Sequence, residues 1–160
     1  MASSEKNLSS FNSESIKDVS GARIGIVVSE WNDEITGALY SGAVATLKEH
    51  GISSDHIVRL DVPGSFELPL GGQWMAQDET IDAVICLGCV IQGETRHFDF
   101  ICSSVAQSIQ DVALKYNKPV IFGVLTTNNK NQALDRAGGK HGNKGDEAAY
   151  TAVKMLAIKK

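Results

Sequence analysis

The chain has 160 residues, 42% hydrophobic and 21% charged, with a net charge of −4. That length suits one domain with a sizeable core and is short for two, and the composition excludes a fibrous repeat or a disordered body. The acidic balance and the lack of a Lys/Arg-rich run exclude a nucleic-acid footprint and a polybasic membrane contact, leaving small molecules or further copies of the chain as partners.

Residues 1–20, MASSEKNLSSFNSESIKDVS, are rich in Ser and Asn and weakly patterned. They read as a flexible arm that orders only if something docks it. The stretch lacks the basic start and apolar run of a signal peptide, and with acidic residues and no arginine it makes a poor transit peptide. No apolar run reaches the length of a membrane span, so the cytoplasm is the expected location and residues 21–160 the single domain.

From there strands and helices alternate. RIGIVVS (Arg23 to Ser29) is a short β-branched run. Ile35, Leu39, Ala43 and Leu47 follow at a spacing of four, which predicts a helix ending at Gly51. HIVRLDV (His56 to Val62) predicts a second strand leading into FELPLGGQWMAQ, where Pro69 and the Gly71–Gly72 pair weaken the helical pattern. DAVICLG predicts a third strand, and Phe98, Ile101, Val105, Ile109 and Val112 make the stripe of a long helix after it. KPVIFGVLTT predicts a fourth strand, followed by helices over NKNQALDRAG and, past a glycine-rich break, NKGDEAAYTAVKMLAIK. Four strands each followed by a helix predict an α/β fold: a doubly wound, four-stranded parallel sheet in a three-layer α/β/α sandwich of flavodoxin-like type.

Cys86 and Cys89 have CxxC spacing. They lie within an apolar strand-like run, where residues three apart point to opposite faces, so they and Cys102 are expected to be buried thiols rather than metal ligands.

In doubly wound sheets ligands bind beyond the carboxyl ends of the strands. The unusual residues fall there: SEWN after the first strand, VPGSFE after the second, VIQGETRH after the third and TTNNK after the fourth. In GETRH, Gly93 admits a close backbone approach, Thr95 offers a hydroxyl and the helix start offers free amides, a cradle for phosphate; a glycine turn with a capping threonine reads equally well. His97 at the helix mouth can accept and return a proton, whereas His50 and His56 fit satisfied or exposed histidines. Ser65 and Glu67 suit polyol hydroxyls and Phe66 offers a ring face, although Glu67 also suits a first helical turn. Trp31 follows a strand end where a core residue is not expected, a place for a stacking platform. LDRAGGKHGNKGDE gathers Arg136, Lys140, His141, Lys144 and Glu147 around four glycines. These read either as a helix end and a solvated helix start or as a phosphate clamp at Arg136 with a second cation at Lys144.

SEWN, VPGSFELP, DAVICLGCVIQGETRHFDFIC, PVIFGVLTT, QALDRAG and GNKGDEAA, in this order and spacing from about Ala22 onward, resemble the lumazine synthase family of riboflavin biosynthesis. The resemblance implies a transferase that joins 5-amino-6-(D-ribitylamino)uracil to 3,4-dihydroxy-2-butanone 4-phosphate, releasing phosphate and water, with no metal or redox cofactor. Residue by residue it implies that Trp31 stacks on the pyrimidine with Asn32 beside it. Ser65, Phe66 and Glu67 would hold the ribityl chain, Val90 and Ile91 the pyrimidine edge, and Gly93, Glu94 and Thr95 with Arg136 the phosphate. His97 would transfer protons, Lys144 and Glu147 would sit near the reacting groups, and Phe122 would close the pyrimidine pocket of a neighbouring subunit.

One departure is Gln92, where a lysine or arginine is usual; it removes a positive charge from the loop. The resemblance further implies a homo-oligomer: pentamers in which the arm at residues 1–20 docks on a neighbouring subunit and the sites lie between subunits, twelve of which close into a sixty-subunit icosahedral shell, the short AGGKHGNKG turn favouring the shell. An association with riboflavin synthase is implied as well. Two rival readings use the same rim. A flavodoxin-like domain holding FMN or a riboflavin precursor without catalysis would not need His97, Arg136 and Lys144 together, and a shell protein with a vestigial pocket would be expected to have replaced His97 or Arg136.

Overall fold

The computed structural model of the protein describes residues 18–159. Most of the arm expected at residues 1–20 lies outside the described residues; of its last three, Val19 is buried in the core.

The elements are β1 (Ile24–Ser29), α1 (Asp33–Glu49), β2 (Ile57–Val62), α2 (Leu68–Gln77), β3 (Ala83–Ile91), α3 (His97–Tyr116), β4 (Val120–Thr127), α4 (Lys130–Leu134), β5 (Ala137–Gly139), β6 (Gly142–Asn143) and α5 (Lys144–Lys159). The four long strands form one parallel sheet in the order β2-β1-β3-β4. Alternation along the strands builds two cores. Ile24, Ile26, Val28, Ile85, Leu87 and Cys89 meet Leu39 and Leu47 of α1 and Ala149 and Val153 of α5. On the other face Val27, Val84, Cys86, Val120 and Val124 meet Leu68 and Ala76 of α2 and Val105 and Ile109 of α3. This is the three-layer sandwich expected from the sequence, because strands covered on both faces must be apolar on both. The CxxC pair is split between the two cores, and burial pushes the Cys86 thiol up to about 12 and the Cys89 thiol up to about 11.

The helix with the weakest sequence pattern is fully formed. Pro69 lies in its first turn, where no intrahelical donor is required of it. Gly71 and Gly72 let it lie flat on the sheet: a Cβ at Gly71 would be 2.8 Å from Val27 Cγ1, and one at Gly72 3.1 Å from Cys86 Sγ. The helix expected over NKNQALDRAG is cut short at Leu134. Beyond it β5 and β6 pair as an antiparallel hairpin, Ala137 with Asn143 and Gly139 with Gly142. Gly138 at φ +109° and Gly142 at φ +74° adopt positive-φ backbone that permits the hairpin.

Among the described residues no helix is long and apolar enough to cross a membrane.

Candidate active site

The chain leaves β1 toward β2 on one side and returns to β3 on the other, so the strand order reverses between β1 and β3. Loops diverge at such a point and leave a crevice at the carboxyl ends. Backbone bonds draw the loops of the crevice together. Glu30 N donates to the Val62 carbonyl at 2.8 Å and Trp31 N to that of Pro63 at 3.2 Å. Asn32 stands at φ +62°, a conformation asparagine tolerates better than most residues, and its Nδ2 donates to the Cys89 carbonyl at 3.0 Å. The first loop is thus tied to the second through backbone and to β3 through a side chain.

That bracing holds Trp31 out in solvent, 74% exposed, as its position past the strand end had suggested. A Cβ at Gly64 would lie 3.4 Å from Trp31 Cδ1 and 3.1 Å from Glu67 Oε2, so the indole and the carboxylate flank the same glycine. Ser65 to Glu67 form a short 3-10 turn; Phe66 is exposed, and the Ser65 hydroxyl points inward. Beyond them Val90 and Ile91 end β3 half-buried.

The third loop is anchored by Gln92. Its N–H donates to the Thr127 carbonyl at 2.8 Å, and its side-chain Nε2 donates to the carbonyls of Gly93 at 2.8 Å and Thr95 at 3.4 Å. A side chain at Gly93 would meet nothing within 4 Å, so the room over it faces outward. Thr95 Oγ1 accepts from the His97 N–H at 3.4 Å, while the residue at the N-cap of α3 is Arg96, whose side chain makes no capping bond. Glu94 and His97 are exposed, with His97 the first residue of the 20-residue α3.

The remaining candidates lie elsewhere in the chain. Phe122, Arg136, Lys144 and Glu147 line a groove of about 990 Å³ along the open edge of β4, between α3 and α5. Lys144 pairs with Glu147, both largely buried, Arg136 Nη1 donates to the Gln132 carbonyl at 3.0 Å, and Phe122 is 41% exposed on the strand edge. The hairpin positions the two cations, since Lys144 N donates to the Arg136 carbonyl at 2.8 Å. None of Trp31, Ser65, Glu67, Gly93 or His97 lines this groove. Within one chain, Arg136 is therefore not gathered with the Gly93–Thr95 loop, nor His97 with Lys144. Thr127 is where the two halves adjoin: it lines the groove and accepts from Gln92. Ser29, the first residue of SEWN, ends β1 fully buried, and its hydroxyl and that of Ser65 both lie close to Gly88.

Residues 21–160 match the family described as 6,7-dimethyl-8-ribityllumazine synthase. The chain belongs to that family. Among the 6,7-dimethyl-8-ribityllumazine synthases it resembles, that of Cytophaga hutchinsonii is 66% identical over 157 residues, covering 98% of each chain. That of Flavobacterium johnsoniae is 52% identical over 159 residues, 99% of this chain and 84% of the relative. That of Parabacteroides distasonis is 52% identical over 156 residues, 98% of each. Membership of the lumazine synthase family agrees with the four-stranded parallel sheet covered by helices on both faces.

Proposed function

We propose that the protein condenses 5-amino-6-(D-ribitylamino)uracil with 3,4-dihydroxy-2-butanone 4-phosphate to give 6,7-dimethyl-8-ribityllumazine, inorganic phosphate and water. Family membership carries the reaction, and the convergence of four strand-end loops on one braced rim supports its location. The amine of one substrate attacks the ketone of the other with loss of water, phosphate leaves, and a second loss of water closes the ring. Such chemistry needs two substrates held in register, a proton carrier and a place for the leaving phosphate.

On this reading Trp31 stacks on the pyrimidine beside Asn32, Val90 and Ile91, while Ser65, Phe66 and Glu67 hold the ribityl chain. The outward room over Gly93, with Glu94 and Thr95, takes the phosphate, and His97 moves the protons. Phe122, Arg136, Lys144 and Glu147 lie in the β4 groove, away from their own rim. The active unit is then two copies of the chain, the rim of one closed by the groove of the next. The assembly that follows is a ring of five, twelve rings making a shell; the shortness of the β5–β6 turn supports the closed form.

The test mixes both substrates with the protein and follows lumazine formation against the uncatalysed background. Acceleration with matched phosphate release is the expected result. A folded protein that binds the ribityl compound without accelerating the reaction would sink the enzymatic reading.

A further inference from the structure

TTNNK, the loop that follows β4, is the one strand-end loop that the reading above leaves without a role. Its side chains are nonetheless engaged. Asn129 is the N-cap of α4, its Oδ1 accepting from the Gln132 N–H at 2.9 Å. Gln132 answers in the other direction, its Oε1 accepting from the Asn128 N–H at 2.9 Å. Thr127, buried at the end of β4, donates its hydroxyl to the Asn129 carbonyl at 3.1 Å, which ties the cap to the sheet. This is a reciprocal capping pair: the cap serves the third helical residue, and that residue reaches back.

Such a pair matters more in α4 than in a long helix. The helix has five residues, little more than one turn, and a helix that short is not sustained by its own backbone bonds. Arg136 follows at its far end. The guanidinium folds back along the helix, where Nη1 donates to the Gln132 carbonyl at 3.0 Å. The Arg136 N–H donates to the Ala133 carbonyl at 3.0 Å, and its carbonyl accepts from the Lys144 N–H at 2.8 Å. Gln132 thus joins the two ends of α4: its side chain and N–H belong to the cap, and its carbonyl holds Arg136.

A guanidinium carries five N–H donors in a flat fork. With Nη1 held at Gln132, the edge formed by Nε and Nη2 has no partner among the described residues, and the residue lines the β4 groove. Two parallel donors on such an edge match two oxygens of a phosphate.

We propose that Asn129 and Gln132 are positioning residues that act through Arg136: their capping pair keeps α4 formed, the Gln132 carbonyl holds Nη1, and the edge formed by Nε and Nη2 is thereby left for the substrate's phosphate. The proposal deepens the reading above and rests on the assignment of Arg136 to that phosphate. It makes the loop after β4 a determinant of affinity for the phosphorylated substrate alone. The cap and the anion lie at opposite ends of the helix.

The experiment titrates the assembled protein with inorganic phosphate and, separately, with 5-amino-6-(D-ribitylamino)uracil, in the wild type, N129A, N129S, Q132M, R136A and the double variant N129A/R136A. N129A is expected to weaken phosphate about fivefold, the usual worth of an N-cap, and to leave the ribityl compound unchanged. Q132M, which breaks the other half of the pair, should act in the same direction and carries the test should N129A not assemble. N129S restores a neutral capping oxygen and should bind phosphate as the wild type does. R136A should weaken phosphate at least as much as N129A, and N129A should add nothing to it, because the residues act as one unit. A role in shaping the whole loop would instead weaken the ribityl compound as well, since Lys130, next to the cap, pairs with Glu34 of α1 at 2.6 Å, close to Trp31 in the chain.

Phosphate affinity that falls in R136A but not in N129A or Q132M, equal weakening of both ligands, failure of N129S to restore binding, or effects that multiply in the double variant would overturn the proposal alone. Phosphate affinity unchanged in R136A would remove the assignment of Arg136 itself, and the proposal with it.

Discussion

His97 opens α3 in full contact with solvent on its own chain, with its backbone N–H turned to Thr95 and its ring free. As the proposed proton carrier, it is separable from the residues proposed to hold the ribityl chain. His97→Ala is therefore expected to lower kcat by about 10²- to 10⁴-fold, the usual worth of a general acid–base group, with ribityl-ligand affinity nearly unchanged. Steady-state kinetics paired with a direct titration checks the split, and a loss of affinity at unchanged kcat would reassign the histidine to binding.

The thiols give a second expectation at this scale. Burial alone raises Cys86 and Cys89, whereas Cys102 is half-buried and raised by burial and by Asp99. With a thiolate-specific reagent at pH 8 the folded protein should show slow reaction of Cys102 only, and all three thiols should react once it is unfolded. In the unfolded chain these thiols ionise near pH 9, while the folded ones hold their protons to about 11 and 12. Their contribution to stability is thus complete below pH 9 and is lost as pH rises toward 12. A denaturation midpoint that stayed flat across that window would contradict the burial.

At the scale of elements, glycine is read from sequence as a breaker, and here it was as often a contact. Gly71 and Gly72 weakened the pattern of α2 in one dimension because periodicity does not reveal which face a strand will press upon. The structure presses Val27, Val62 and Cys86 against that face. Gly145 is the sharper case: a Cβ there would fall 1.9 Å from the Leu39 carbonyl oxygen, backbone that cannot swing aside. Gly145→Ala should separate α5 from α1 and cost about 3 kcal/mol or more, measured by urea denaturation; a cost below about 1 kcal/mol would mean that the two helices slide freely.

The four strands, their order of appearance and the long helices were legible because period-2 and period-3.6 patterns register burial directly. The β5–β6 hairpin was not. Its strands are two and three residues long, too short for any period, and its cause lies in glycine dihedrals that the string GGKHG does not display.

At the scale of the whole molecule, the rim was legible one loop at a time, through Trp31 past a strand end and His97 at a helix mouth. The distance between rim and groove was not, because it depends on β4 being an edge strand, a property of sheet order rather than of any residue. The division has a direct test. A rim-deficient variant such as His97→Ala and a groove-deficient one such as Arg136→Ala, each nearly inactive, are unfolded together and reassembled. If a site draws on two copies, random mixing leaves roughly a quarter of the sites with an intact rim facing an intact groove. Activity is expected to return to about that fraction of wild type, and a mixture as inactive as its parts would place the whole site within one copy. Light scattering of the native protein is expected to give the mass of sixty chains, and a mass near five would refute the shell.

The open edge of β4, with Phe122 41% exposed in the groove that Arg136 also lines, has one more consequence. If rim and groove come from separate molecules, as proposed above, the catalyst has no intrinsic rate per chain. Its output per milligram is set by how much of it is present: constant while the assembly holds, then collapsing over a narrow range of dilution as neighbours part, although each chain remains folded.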